Sequence, residues 1–118
     1  MKYNTFKDLK IWKKSHHFVL KVYRMTESFP ITEIYGLTSQ FRRAAISIPA
    51  NIAEGYTKIS LPDKIRYYNI ARSSLEECRY YSILSNDLNY IHESIEPDIE
   101  EISKMLSNYI RKLKETKN

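Results

Sequence analysis

The chain has 118 residues, 42% hydrophobic and 28% charged, which supports one domain with one core and excludes the composition of a disordered segment. Two glycines and four prolines supply too few turns for a strand-rich sandwich, and no apolar run approaches the roughly 18 residues that cross a bilayer. The net charge of +5 belongs to the first segment: residues 1–29 hold seven Lys and Arg against two acids, and the rest of the chain sums to zero. Such an excess favours anionic partners through counterion release and long-range steering. The basic start lacks the apolar stretch and cleavage site of a secretory signal, and the single cysteine, Cys78, cannot form an internal disulfide. A cytoplasmic protein is the expectation.

The spacing predicts a first helix over residues 8–29. Leu9, Trp12, His16, Val19, Tyr23 and Thr26 recur at steps of three and four, and a second row, Ile11, Phe18, Val22, Met25 and Phe29, runs beside it. Two rows make an apolar arc wider than one neighbour covers, which suits either two adjacent partners in a bundle or a bundle that also self-associates. Pro30 stops this helix.

A second helix is predicted over 37–56, with Leu37, Phe41, Ala44 or Ala45, Ile48 and Ile52 on its apolar row. Beside it lies a polar row, Gln40, Arg43, Ser47, Asn51 and Glu54. A third helix, over 61–91, opens on Ser60-Leu61-Pro62-Asp63: a hydroxyl to cap an orphan N–H, a proline where no N–H is needed, and an acid at the positive end of the dipole. Its row is Ile65, Tyr68, Ala71, Leu75, Cys78, Leu84, Leu88 and Ile91, imperfect around Ser82 and Ser85. The fourth helix, over 96–114, begins among acids and ends on Arg111, Lys112 and Lys114, and its row runs Ile95, Ile99, Ile102, Leu106, Tyr109 or Ile110, and Leu113. Four amphipathic helices on short links predict an all-α, antiparallel up-and-down four-helix bundle, one domain over 1–118. Its third helix is long and its second is kinked by Pro49.

The kink sits in SIPANIAEGY, residues 47–56, where Pro49 removes one backbone bond and crowds the carbonyl of Ala45. Ala44, Ala45, Ala50 and Ala53 allow close backbone approach, and Ser47 or Asn51 can satisfy groups that the bend releases. The segment is read as a tightly packed helix carrying an internal polar network of Gln40, Arg43, Ser47, Asn51, Glu54 and, from the third helix, Glu77, because buried polar groups demand partners. The competing reading is an exposed ligand site.

The stretches FKDLKIWKKS, YGLTSQFRRAAISIPANIAEGY and YYNIARSSLEECRYYSILSNDLNYI together resemble the bacterial four-helix-bundle proteins known as 23S rRNA intervening-sequence proteins, over roughly residues 6 to 113. The matching positions are Trp12, Gln40, Arg43, Ser47, Pro49, Asn51, Glu54, Gly55, Ser74, Leu75 and Glu77. The resemblance implies a helical bundle that assembles as a ring-like homopentamer without an established enzymatic activity. Members are encoded within insertions in ribosomal RNA genes of some bacteria or as free-standing genes. The fold also resembles that of the accessory proteins of diversity-generating retroelements, which bind a reverse transcriptase and nucleic acid. The family's usual small residue near position 73 is here Ser73, and the chain departs mildly from the pattern at Asn89, which stands where a glycine usually ends the third helix. Asparagine tolerates the left-handed backbone that such a turn needs.

Candidate chemistry is sparse. His16 and His17 point about 100° apart on a helix, not toward one metal as a spacing of four would place them. Glu54 and Glu77 are weighed as an acid/base pair and, with greater weight, as partners of Arg43 or Arg72 that fix helix register. Cys78 lies on the inward row as a small core residue. No cofactor or metal pattern stands out. The ten tyrosines, with doublets Tyr67-Tyr68 and Tyr80-Tyr81, fit either stacking on single-stranded RNA or a broad subunit interface, the second being favoured. The expected function is a non-enzymatic, oligomeric module for RNA or single-stranded DNA, its basic side built from Lys7, Lys10, Lys13, Lys14, Lys21 and Arg42. The alternative is a structural hub that binds another protein.

Overall fold

The computed structural model describes residues 5–116. It contains α1 (Lys10–Thr26), α2 (Leu37–Thr57), α3 (Leu61–Asp87) and α4 (Glu96–Thr116), with 3-10 turns at Phe6–Asp8 and Ile31–Glu33. Side-chain pairs fix the directions. Phe41, Ser47 and Gly55 of α2 meet Tyr81, Ser74 and Tyr68 of α3, so the two helices run oppositely. Tyr68 and Arg79 of α3 meet Tyr109 and Glu96 of α4, and Lys14 and Lys21 of α1 reach Glu101 and Asp98 of α4. The result is an antiparallel four-helix bundle, 50 × 22 × 21 Å.

The apolar rows supply the core. Ile11, Phe18, Val22, Met25 and Phe29 are buried, as are Leu37, Phe41, Ala44, Ala45, Ile48 and Ile52, and Ile95, Ile99, Ile102, Leu106 and Ile110. Of the other α1 row, Val19 and Thr26 are buried while His16 and Tyr23 are exposed, so this row flanks the core instead of entering it. Along α3, Tyr68, Ala71, Leu75 and Cys78 face inward. Where the pattern is imperfect, Ser82 and Ser85 are themselves buried, and Ser85 donates its hydroxyl to the Tyr81 carbonyl at 2.7 Å. A small hydroxyl that folds back on its own helix can occupy a core position that a hydropathy count scores as polar.

The helix ends differ from the predicted bounds for local reasons. Thr5 and Asp8 form a reciprocal capping box on the 3-10 turn, which leaves Leu9 extended and delays α1 to Lys10. α3 stops at Asp87, short of the predicted residue 91, because Asn89 is left-handed at φ 64°. The Tyr90 N–H reaches the Ser85 carbonyl at 2.9 Å, the six-to-one closure of a helix that ordinarily ends on glycine. At the start of α3, Ser60 Oγ accepts from the Asp63 N–H at 3.2 Å, as its sequence pattern predicts.

The whole of SIPANIAEGY lies within α2, which continues through Pro49 to Thr57. One face of this segment packs on α3. Asn51 Nδ2 donates to the Ser47 carbonyl at 2.7 Å and to Ser47 Oγ at 2.9 Å, and Ser74 Oγ of α3 donates to Ser47 Oγ at 2.8 Å. One turn later Gly55 packs against Tyr68: a Cβ there would stand 2.8 Å from Tyr68 Cε1 and 3.1 Å from Tyr67 Cβ.

The predicted polar network is smaller than its sequence row. Ser47 and Asn51 belong to it and Ser74 completes it, whereas Gln40, Arg43, Glu54 and Glu77 are exposed. Glu54 pairs with Lys58 at 3.5 Å, and among the described residues no ion pair joins Glu54 or Glu77 to Arg43 or Arg72. The register explains this. With Ser47 opposite Ser74 and Phe41 opposite Tyr81, Glu77 is level with the stretch near Ala44, ten residues or about 15 Å along the axis from Glu54. The two carboxylates do not meet.

Candidate nucleic-acid interface

The antiparallel connections bring three distant segments to one end of the rod: the chain start, the α2–α3 link and the end of α4. Divided at the mid-length of each helix, that half (residues 5–17, 48–73 and 107–116) holds eleven Lys and Arg against four Asp and Glu. The other half (18–47 and 74–106) holds six against ten. The bundle is therefore positive at one end and negative at the other, a polarity that counting along the chain does not display. Residues 93–118 are nearly neutral in total, yet their acids open α4 and their bases close it.

Within this field the six basic residues singled out from sequence have different roles. Lys7, Lys10 and Lys13 are exposed at the positive end and form no ion pair among the described residues. Lys10 and Lys112 line the same groove of about 400 Å³ between α1 and α4, above Leu9, Ile11, Met105 and Tyr109. Lys14 pairs with Glu101 at 3.1 Å and Lys21 with Asp98 at 2.8 Å, so both staple α1 to α4. Arg42 is spent elsewhere. Its Nε donates to Thr26 Oγ1 at 2.7 Å, its Nη2 donates to the Tyr23 carbonyl at 3.3 Å, and its guanidinium covers the Tyr23 ring at 4.4 Å. Thr26 in turn donates to the Val22 carbonyl at 2.8 Å. Arg42 thus closes the end of α1, as a cation near the last carbonyls does.

Sequence reasoning did not single out the α2–α3 link as a basic element. Lys64 Nζ donates to the Tyr56 and Gly55 carbonyls at 2.8 and 3.3 Å, satisfying the last turn of α2, and burial holds its pKa below the ordinary lysine value. Lys58 and Arg66 lie over the Tyr67 ring at 5.0 and 4.7 Å. The spacing of basic and aromatic residues in YTKISLPDKIRY carries this signal, obscured by the helix-start pattern in its midst.

A second surface lies on the α1–α2 flank. Phe6, Trp12, His16, Val19, Ile46, Pro49, Ala50 and Ala53 border an apolar groove of about 320 Å³. Trp12 stacks on His16 with ring centroids 5.1 Å apart and meets Phe6 edge-on at 5.2 Å. His16 is thus part of an aromatic stack, and no group of three His, Cys, Asp or Glu among the described residues is placed to hold a metal. A depression of about 520 Å³ between α3 and α4 is lined by Asn69, Arg72, Ser73, Glu76 and Ser103, one cation against one carboxylate. No helix is long and apolar enough to cross a membrane among the described residues.

The other tyrosine doublets divide by face. Tyr68 is fully buried and Tyr67 is half-buried beneath its two cations. Tyr81 packs beside Phe41 with ring centroids 5.9 Å apart, while Tyr80 is exposed.

Comparison with known proteins agrees with this architecture. The family model described as 23S rRNA-intervening sequence protein matches residues 7–108. A crystal structure of a protein of unknown function from the S23 ribosomal protein family of Bacteroides thetaiotaomicron superposes with a TM-score of 0.62. It is 24% identical and the alignment covers 87% of this chain and 94% of that one, a likeness of fold. No curated protein matches. With the family model spanning most of the bundle, the chain belongs to the 23S rRNA-intervening sequence protein family.

Proposed function

We propose that this protein is a non-enzymatic, self-associating helical module that binds nucleic acid through the positive end of its bundle. The observation that carries the reading is the axial separation of charge, eleven bases against four acids in one half and six against ten in the other. Lys7, Lys10, Lys13 and Lys112 lie at or near that end without an ion pair among the described residues, so their charge is available to phosphates. Nucleic-acid affinity of this kind arises from counterions released as lysines neutralise phosphates, and it falls steeply as salt rises. The negative half repels phosphates and so orients the rod on its ligand.

Self-association supplies the avidity that one moderately charged bundle lacks. The apolar α1–α2 groove is the flank offered to a second copy, and family membership supports closure of the assembly as a homopentamer. Five chains of +5 carry +25, with their positive ends gathered on one rim if the subunits stand in parallel. The apolar groove also favours a second reading, a hub whose partner is another protein.

Retention of single-stranded RNA across a salt series separates the two. The nucleic-acid reading expects retention that weakens with salt and is lost in a Lys7→Glu, Lys10→Glu, Lys13→Glu variant of unchanged helix content. Absent retention, or retention indifferent to salt, supports the hub.

A further inference from the structure

The positive end carries aromatic and aliphatic surface as well as lysines, and at the α2–α3 link tyrosines stand beside Lys58, Lys64 and Arg66. The α2–α3 link turns there. Its Ile59 is 99% exposed at the tip, and Tyr56 and Tyr67 flank it half-buried. Lys58 and Arg66 both lie over the Tyr67 ring, and Lys64 Nζ lies 5.6 Å from the centroid of the Tyr56 ring. The bases of a duplex are stacked on one another, so a protein reaches them there only by sending a helix or ribbon into a groove. Among the described residues this end has no such projection; the α2–α3 link is a short turn between two helices. Unpaired bases, in contrast, present ring faces that stack on aromatic side chains while flanking phosphates take up nearby cations.

We propose that the positive end is a binding site for single-stranded nucleic acid, in which Tyr67 and Tyr56 stack on bases, Lys58 and Arg66 take the adjoining phosphates, and the strand continues across the end to Lys10, Lys13 and Lys112 on the opposite, α1–α4 side. The inference rests on the nucleic-acid reading above and adds the strand state and the base-contacting residues. Lys58 lies over one face of Tyr67 and is weakly paired with Glu54 at 3.5 Å; a base taking its place on the ring releases its ammonium to the adjoining phosphate. Lys64 is excluded from this role because the carbonyls at the end of α2 already bind it. Tyr68 is excluded by complete burial.

The test uses the full chain and two fluorescent probes, an oligouridylate of about 16 nucleotides and an RNA duplex of the same length. Stacking contributes about 1–3 kcal/mol per base, so Tyr67→Leu is expected to weaken oligouridylate binding about tenfold, with Tyr67→Phe within about twofold of the parent. The parent binds the oligouridylate more tightly than the duplex, and Tyr67→Leu narrows that difference. Circular dichroism confirms that each variant keeps its helices, and Tyr56→Leu gives an independent second variant. Equal affinity for the two probes overturns the inference. So does unchanged binding in both leucine variants while Lys10→Glu, Lys13→Glu, Lys112→Glu abolishes it, a result that leaves the nucleic-acid reading intact. Failure of the parent to bind either probe overturns both.

Discussion

Gly55 and Tyr68 pack so closely that a methyl group on the glycine would stand 2.8 Å from the ring edge, inside any ordinary carbon–carbon contact. This approach sets how near α2 lies to α3, the most extensively packed helix pair. Gly55→Ala gains about 1 kcal/mol of helix propensity and meets an overpacking cost of about 1–3 kcal/mol, since the fully buried Tyr68 has nowhere to move. The expected outcome is a net loss near 1 kcal/mol, read as a lower urea midpoint at unchanged slope.

The same ring supports a prediction of opposite sign. Tyr68 Oη is buried and no hydrogen bond of good geometry reaches it among the described residues; Tyr109 meets the ring edge-on at 5.2 Å, and its phenol is the neighbour that acts on the Tyr68 hydroxyl. A buried donor left unpaired costs about 1–3 kcal/mol. Tyr68→Phe removes that penalty while keeping the ring, so the urea midpoint rises by an amount equivalent to about 1 kcal/mol. A clear fall would show that the hydroxyl is bonded in solution.

Burial also dictates an alkaline limit. It raises the Tyr68 phenol above its ordinary value of 10.0, with Tyr109 adding to the shift, and pushes the Cys78 thiol from 9.0 up to about 12, with Glu77 adding to it. Above pH 9 to 10 the unfolded chain releases these protons while the folded chain retains them. The unfolded state then binds fewer protons, and stability falls as pH rises. The urea midpoint is accordingly expected to be insensitive to these two groups below about pH 8.5 and to decline above about pH 9.5. The decline is shallower in a Tyr68→Phe, Cys78→Ala variant. Iodoacetamide near neutral pH should modify Cys78 only when the chain unfolds, because the buried neutral thiol is not a nucleophile.

Self-association through the α1–α2 flank predicts that Ala50→Glu, which puts a carboxylate into the groove beside Trp12 and Pro49, dissociates the assembly. An unpaired charge buried at an interface costs several kcal/mol, so the dissociation constant rises by about two orders of magnitude or more. Ala50 is exposed in the single chain, and helix content is retained. Sedimentation measures the change; an unaltered assembly places the contact elsewhere.

The bundle was legible in the sequence because helical periodicity identifies faces; the buried rows of α1, α2 and α4 coincide with predicted ones, whereas along α3 the predicted Leu88 is exposed and Ser74, Ser82 and Ser85 are buried instead. Asn89 was only partly legible: the family resemblance marks it as a residue able to take the left-handed turn, yet periodicity carried the predicted helix past it to residue 91. The site was likewise legible only in part. Periodicity shows which residues share a face but not which residues of another helix stand opposite, and inter-helix register decides electrostatics. Lys14 and Lys21 look like Lys10 and Lys13 in the sequence, yet Glu101 and Asp98 neutralise the first pair. Gln40, Arg43, Glu54 and Glu77 share spacing with Ser47 and Asn51 but are exposed, because only the latter pair reaches the seam where Ser74 crosses. Lys112 joins Lys10 only once α4 has folded back along α1.

Fluorescence anisotropy of a single-stranded RNA against potassium chloride concentration, for the parent and for Lys10→Glu, Lys13→Glu, Lys112→Glu, tests the central claim most directly. The charge-separated rod predicts that log affinity falls linearly with log salt, by about 0.7 per phosphate neutralised, and that the triple reversal weakens binding and flattens the slope. Affinity unmoved by salt, or by reversing those three lysines, would contradict it.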